Sequence, residues 1–257
     1  MKRALGPFDY GTPPPDDGLK RIWKPLTLLD SGARYEGQWD ERGRKNGKGI
    51  LHWNDASIYE GYFKDDKANG RGRLIHEGGD VFIGEWKDDK AHGYGEYTLK
   101  EGSRYEGQWF EDKQNGHGKE IWPDDAYFVG TYKDGRKHGK GKFNWADGSS
   151  YIGDFFENNI HGQGAYTWSD GRVFEGTWKD NMMHGEGVFT WIDGKKYEGQ
   201  YVEDKKSGYG VFTWPDGRKY AGSWLNGNQH GIGTYTSTSG TVKTGEWSHG
   251  KRLHWLE

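Results

Sequence analysis

Residues 174–191 read FEGTWKDNMMHGEGVFTW: two runs in which rings alternate with glycine at every second position, joined by a polar turn. In an extended strand alternate residues share a face, so Phe174, Gly176 and Trp178 lie on one side while Glu175 and Thr177 point away. Gly187, Phe189 and Trp191 repeat the arrangement on the way back. The stretch is therefore read as one β-hairpin with one ringed face. A bare glycine in that face leaves a gap that a large ring on the neighbouring strand can cover.

The same pattern recurs along the chain. Ring-x-Gly-x-ring appears at Tyr35-Gly37-Trp39, Tyr59-Gly61-Phe63, Phe82-Gly84-Trp86 and onward to Tyr220-Gly222-Trp224, with a degraded tenth copy at Lys243-Gly245-Trp247. The step is 23 residues except once, where the segment from Asp40 to Lys45 holds one extra residue. Fixed periodicity of this kind is the signature of a repeat architecture. Asp147-Gly148, Asp170-Gly171, Asp193-Gly194 and Asp216-Gly217 separate one hairpin from the next, and Asp-Gly between alternating strands predicts a type I′ turn. Consecutive hairpins then form an all-β fold, an elongated single-layer antiparallel meander of about ten hairpins, shaped as a solenoid-like twisted ribbon. Each hairpin touches only its neighbours, so stability adds up along one dimension.

Domain organisation follows. Residues 1–25, with Pro13-Pro14-Pro15 and Asp16-Asp17-Gly18, read as an extended arm whose Leu5, Pro7, Phe8 and Tyr10 can dock on the first repeat. Residues 26–257 form the array, with repeats over 33–247 and a cap at each end. Leu26 to Leu29 supply a half-hairpin turned by Asp30-Ser31-Gly32, and Leu253 and Trp255 close the far edge beside Lys251 and Arg252.

Composition narrows the function. The 44 glycines accompany 14 Trp, 16 Tyr and 11 Phe, and chains that stay unfolded are short of aromatics. Thirty-six basic and 39 acidic side chains are interspersed, giving net charge −3 and no footprint for nucleic acid. The absence of cysteine excludes disulfides and thiolate metal sites. No apolar run approaches the ~20 residues of a spanning helix, so a soluble, cytoplasmic protein is expected.

These residues resemble the MORN (membrane occupation and recognition nexus) repeat, whose unit is similar to Y-x-G-x-W followed, after a charged turn, by H-G-x-G. The family's arrays occur in cytoskeletal and ciliary assemblies, in junctional membrane proteins and as leaders of enzymes. The resemblance implies a hairpin array that binds a partner segment, or a second copy of itself, along a ring-lined groove, in an axoneme or cortical cytoskeleton. The copies depart from the pattern where Lys243 replaces the first ring, Glu120 breaks the ring phase, and Ala56 or Asp125 replaces the turn glycine.

Chemistry finds little support. His92, His138, His161, His184 and His230 share one repeat position that Asn69, Asn115 and Ser207 occupy elsewhere, which suits hydrogen bonding in a loop better than metal ligation. The acids Asp65, Asp88, Glu111, Asp180 and Glu203 recur in every turn rather than forming one special pair. Gly93-Tyr94-Gly95 lacks the third glycine and the helix of a dinucleotide loop, and Ser248 to Lys251 matches S-x-x-K by spacing alone. No catalytic, metal or cofactor residue is expected, and the chain is read as no enzyme. A ring face that a single layer leaves uncovered marks an interaction surface. Its candidate residues are Tyr105, Trp109, Tyr151, Phe155 and Trp168, followed by Phe174, Trp178, Trp191 and Tyr197. The partner is a protein helix or extended peptide, or a second copy; a phospholipid surface held by Arg136-Lys137-His138-Gly139-Lys140 is the alternative.

Overall fold

The computed structural model describes residues 5–256. Its strands fall into two units, residues 1–136 and 137–257. Unit 1 contains β1 (Arg21–Leu28), β2 (Arg34–Asp40), β3 (Lys45–His52), β4 (Ile58–Lys64) and β5 (Lys67–Ile75). It continues with β6 (Val81–Lys87), β7 (Lys90–Thr98), β8 (Arg104–Phe110), β9 (Lys113–Ile121) and β10 (Tyr127–Lys133). Unit 2 contains β11 (Arg136–Asn144) from its second residue on, β12 (Ser150–Phe156), β13 (Asn159–Thr167), β14 (Val173–Lys179), β15 (Met182–Thr190) and β16 (Lys196–Val202). It ends with β17 (Lys205–Thr213), β18 (Lys219–Leu225), β19 (Asn228–Thr236), β20 (Val242–Ser248) and β21 (Lys251–Trp255). Within each unit every strand pairs antiparallel with the next in sequence, as a meander of hairpins requires.

The 174–191 hairpin shows the register. Phe174 faces Phe189 and Gly176 faces Gly187, and on the other side Gly176 faces Gly164. Glycines thus form a column across the strands. The reason lies in the first ring of each repeat, which lies along its own strand. Tyr59, Tyr105, Tyr151, Tyr197 and Tyr220 each donate their hydroxyl to the carbonyl three residues on, at 3.0–3.1 Å. A Cβ on Gly176 would come within 2.6 Å of Gly187 Cα and 2.8 Å of the Phe174 ring, and one on Gly187 would overlap that ring. The ring beds on both glycines at once, so the cover over Gly176 comes from its own strand and only that over Gly187 from the neighbour, a correction to the expectation of a neighbouring ring alone. The first glycine of each Gly-x-Gly pair serves otherwise: Gly185 has φ +72° and carries the bulge between Gly176 and Trp178.

The Asp-Gly turns are not of the expected type. At Asp147-Gly148 only Gly148 has positive φ, and Gly148 N–H donates to Trp145 O at 3.1 Å while Trp145 N–H donates to Ser149 O. This is a three-residue loop, a type I turn closed by a left-handed residue, not type I′. Ala56 (φ 69°) and Asp125 (φ 65°) take the same left-handed place where glycine is missing. The positive-φ pairs of a type I′ turn sit instead at the acidic turns, Asp65-Asp66, Asp88-Asp89, Glu111-Asp112, Glu157-Asn158, Asp180-Asn181 and Glu203-Asp204. Each such residue costs about 1 kcal/mol or more. The second of each pair is held from outside the turn: Ala68 N–H donates to Asp89 Oδ1 and Ala91 N–H to Asp112 Oδ1, both at 2.7 Å. Ile160 N–H and Met183 N–H donate likewise to Asn181 and Asp204 at 2.8 Å. Each turn also donates its own N–H back to the same residue of the preceding repeat. The extra residue between Asp40 and Lys45 makes the one turn of this row that differs, with Gly43 as its left-handed residue.

The core is a ladder of rings in edge-to-face contact. Phe82 meets Trp86 of its own repeat at 5.2 Å and Trp109 of the next at 5.1 Å; Phe174 meets Trp178 at 5.1 Å and Tyr201 at 5.2 Å. Trp86, Trp109, Trp178 and Trp224 each donate their indole N–H to a glycine carbonyl of the preceding repeat at 3.1–3.2 Å. Where Glu120 interrupts the ring phase, Tyr132 replaces Trp and donates to Glu120 Oε2 at 3.0 Å. Tyr151, Phe174, Tyr197 and Tyr220 are fully buried by this arrangement within a single layer.

The first strand begins at Arg21, five residues before the expected boundary, and accommodates Pro25 at a register shift between Lys24 and Thr27. The arm docks in unit 1 on the face opposite the rings, where Tyr10 meets Lys48 of the first repeat at 4.8 Å as expected, and mainly against the second repeat. Tyr10 packs edge-on against Tyr62 at 5.5 Å, and Phe8 lies 5.5 Å from the Arg73 guanidinium. Beneath it Arg73 pairs with Glu60 at 2.8 Å and donates to Gly6 O. Tyr62 is a ring where other repeats carry Glu85, Gln108, Thr177 or Ser223.

Candidate functional site

Two rows of side chains run along the ringed face. The inner row is the core ladder. The outer row comes from the ends of the returning strands, and in unit 2 it is aromatic throughout. Phe143 stacks on Trp145 at 4.4 Å, Trp145 approaches Tyr166 at 5.2 Å, and Tyr166 meets Trp168 at 4.6 Å. The row continues through Phe189, Trp191, Phe212 and Trp214 at 4.4–5.6 Å, to Tyr235 at 6.3 Å. Apart from buried Phe189, all these rings are half-buried, presenting one side to solvent.

The nine residues singled out from sequence divide between the rows. Tyr105, Tyr151, Phe155, Phe174, Trp178 and Tyr197 belong to the inner row and are at most 5% exposed. A partner cannot reach them without opening the core. Trp109 is an inner-row ring that stays half-buried. Trp168 and Trp191 are in the outer row and accessible. Tyr166, Phe212, Trp145 and Trp214, whose alternation with glycine is plain in the sequence, join them there.

Between the rows lies a slot filled by the second residue of each strand after an acidic turn. Lys137, Ile160, Met183, Lys206 and Gln229 occupy it in unit 2, and Ala68, Ala91 and Gln114 in unit 1. Lys206 places its ammonium 5.0 Å from Trp191, 5.2 Å from Tyr197 and 5.1 Å from both Phe212 and Trp224. Burial among these rings pushes its pKa down from the usual lysine value. No motif flags Lys206; only the register of the repeats shows that a charge stands where Ile and Met stand elsewhere.

The histidine positions lie within strands, not loops. His92 and His138 pack on exposed Phe110 and Phe156 at 5.2 Å, and His161 Nδ1 accepts from Asp180 N–H at 3.5 Å. Ser248 and Lys251 flank the last two-residue turn as a cross-strand pair.

A family model described as the MORN repeat matches nine times, over residues 35–57, 59–81, 82–104, 105–127, 128–150, 151–171, 174–196, 197–217 and 220–242. The chain belongs to the MORN-repeat family. MORN arrays are generally non-enzymatic, and the fold points to a structural or interaction module. No curated protein matches the chain significantly. Among solved structures it is similar to the TCP10 domain of Danio rerio CPAP, at 11% identity and TM-score 0.31, covering 90% of this chain and 99% of that one. It is also similar to the SAS-4 TCP domain of Drosophila melanogaster in complex with a proline-rich motif of Ana2, at 10% identity and TM-score 0.33, covering 84% and 99%. Similarity at this level bears on neither the fold nor the function of the present chain.

Proposed function

We propose that this MORN protein is a non-catalytic scaffold that binds a partner protein segment, a helix or an extended peptide, along the outer aromatic row of unit 2. The supporting observation is that row itself: a continuous series of rings, half-buried except at buried Phe189, that lies beside the inner core ladder. Accessible aromatics are the usual anchors of protein interfaces, each worth on the order of 2 kcal/mol when truncated. By family, an axonemal or cortical cytoskeletal setting fits such a scaffold. The lipid alternative gains nothing, because Lys140 of the basic stretch is paired with Asp154 at 2.6 Å.

Cross-linking mass spectrometry on the native assembly, comparing wild type with a Trp168→Ser/Trp191→Ser variant, tests the proposal. Partner cross-links to β13–β17 disappear in the variant while the far-UV circular dichroism is kept. Cross-links that survive the variant unchanged refute it. Sedimentation velocity on the isolated protein shows whether the occupant is a second copy.

A further inference from the structure

The cage around Lys206 has a vacant counterpart in unit 1. Trp53, Tyr59, Leu74 and Trp86 stand six repeat steps, 138 residues, before Trp191, Tyr197, Phe212 and Trp224. Ala68 stands the same distance before Lys206, and the registers agree: Ala68 faces Phe63 as Lys206 faces Tyr201. With only a methyl group in the slot, a cavity of about 400 Å³ remains, lined by these residues and by Leu51, Lys45, Asp66 and Asp89. One protein thus shows the same slot twice, once holding an ammonium among four rings and once open.

The open copy also suits a cation, with Lys45 standing where the filled copy has Met183 and its charge balanced by Asp66. Three of its four walls are aromatic, and ring faces attract an ammonium within ~6 Å of their centroids. It has a carboxylate at Asp89 where the filled copy has Gly227, and another at Asp66 matching Asp204. The Lys45 ammonium lies 3.7 Å from Asp66, and Asp89 has no ion-pair partner among the described residues. Asp89 instead accepts the Ala68 N–H at 2.7 Å, which holds its carboxylate against the slot.

We propose that the pocket over Ala68 is an alkylammonium-binding cage and that its occupant is a lysine side chain of a partner protein. The partner as the source rests on the scaffold role above; the cage itself does not. The filled copy supplies the specificity: a four-carbon stem packs between the rows and the charge ends among the ring faces, so a neutral group of the same length loses the cation–π part of the attraction.

The test is an NMR titration of the full chain, following the indole N–H signals of Trp53 and Trp86 with n-butylammonium or 1-butanol as probe. Both signals shift with n-butylammonium, which binds roughly tenfold more tightly than the alcohol. Ala68→Lys, which supplies the occupant in cis as Lys206 does, abolishes the response. Lys206→Ala opens the second cage and makes Trp191 and Trp224 responsive, so the conclusion does not hang on one variant's folding. Equal response to the alcohol, or a response that survives Ala68→Lys in a folded variant, overturns the cage. Selective binding of n-butylammonium with partner cross-links undiminished by Ala68→Lys overturns the partner's lysine as occupant while leaving the scaffold reading intact.

Discussion

Units 1 and 2 carry the same inner ladder and differ in almost everything laid upon it. Phe82 and Phe174 occupy equivalent beds, with the same edge-to-face contacts at the same spacing. The outer row of unit 2 runs Phe143, Trp145, Tyr166, Trp168, Phe189, Trp191, whereas unit 1 offers Leu51, Trp53, Leu74, His76, Tyr97 and Leu99. The slot is filled in unit 2 and holds alanine twice in unit 1. Only unit 1 has its opposite face covered by the arm. The inner row is thus what the fold demands, and the outer row, slot and opposite face are where the repeats are free to differ.

The comparison breaks first if the inner rows are not equivalent. Phe82→Ala and Phe174→Ala each remove a ring that touches both its own repeat and the next, and each costs about 3–5 kcal/mol in urea denaturation. A difference between them larger than ~1 kcal/mol would show that one unit leans on contacts outside its ladder. Next in size is the glycine column. Gly61→Val and Gly176→Val place a side chain where a Cβ already meets backbone within 2.6 Å, and each costs about 3 kcal/mol, again alike in the two units.

The outer rows, by contrast, should part. Trp191 contacts Phe189, Phe212 and Lys206, while Trp53 is 38% exposed and has Leu51 and Leu74 as its neighbours in the outer row. Trp191→Ala costs about 1–2 kcal/mol of stability and Trp53→Ala less than about 1 kcal/mol. Equal costs would mean that the continuity of the row contributes nothing. The slot gives a smaller effect of opposite sign. Ala68→Met copies Met183 into the open cavity and adds about 1 kcal/mol of stability to unit 1 by burying methylene groups, read as a raised urea midpoint.

The hairpins and their period are legible in the sequence because each step of 23 residues restates them. The turn types are not. Asp-Gly is compatible both with a two-residue type I′ turn and with a three-residue loop in which glycine alone is left-handed, and the 145–149 hydrogen bonds select the latter. The true two-residue turns hide behind Asp65-Asp66 and Glu111-Asp112, which carry no glycine. Their strain is offset by N–H groups 21 residues away, and local propensity does not register such contacts. For the same reason the acid that matters structurally is the second of each pair, not the first that the pattern picks out. Of the candidate site, the presence of a ring face is readable, but its division into a buried and an accessible row is not. Phe174 and Trp191 look alike in a period-two pattern; only the ring lying along its own strand distinguishes them.

The arm provides the gentlest test, confined to unit 1. Burial against Tyr62 pushes the Tyr10 phenol from 10.0 to about 12, reinforced by the Glu60 carboxylate and opposed by Arg73. A phenol whose pKa is raised on docking binds its proton more tightly in the docked state. Its contribution is therefore complete below pH 10 and is lost as the pH rises through about 12. The arm should release over that interval, seen as protease cleavage near Pro13 to Asp17 in short pulses, while Phe174, which cannot ionise, keeps its bed in unit 2. Tyr10→Phe removes the titrating group and leaves the edge-on contact with Tyr62, so release in that variant moves to higher pH. If wild type and Tyr10→Phe release together, the arm is held by Arg71 and Arg73 through Asp9 and Gly6 rather than by its ring.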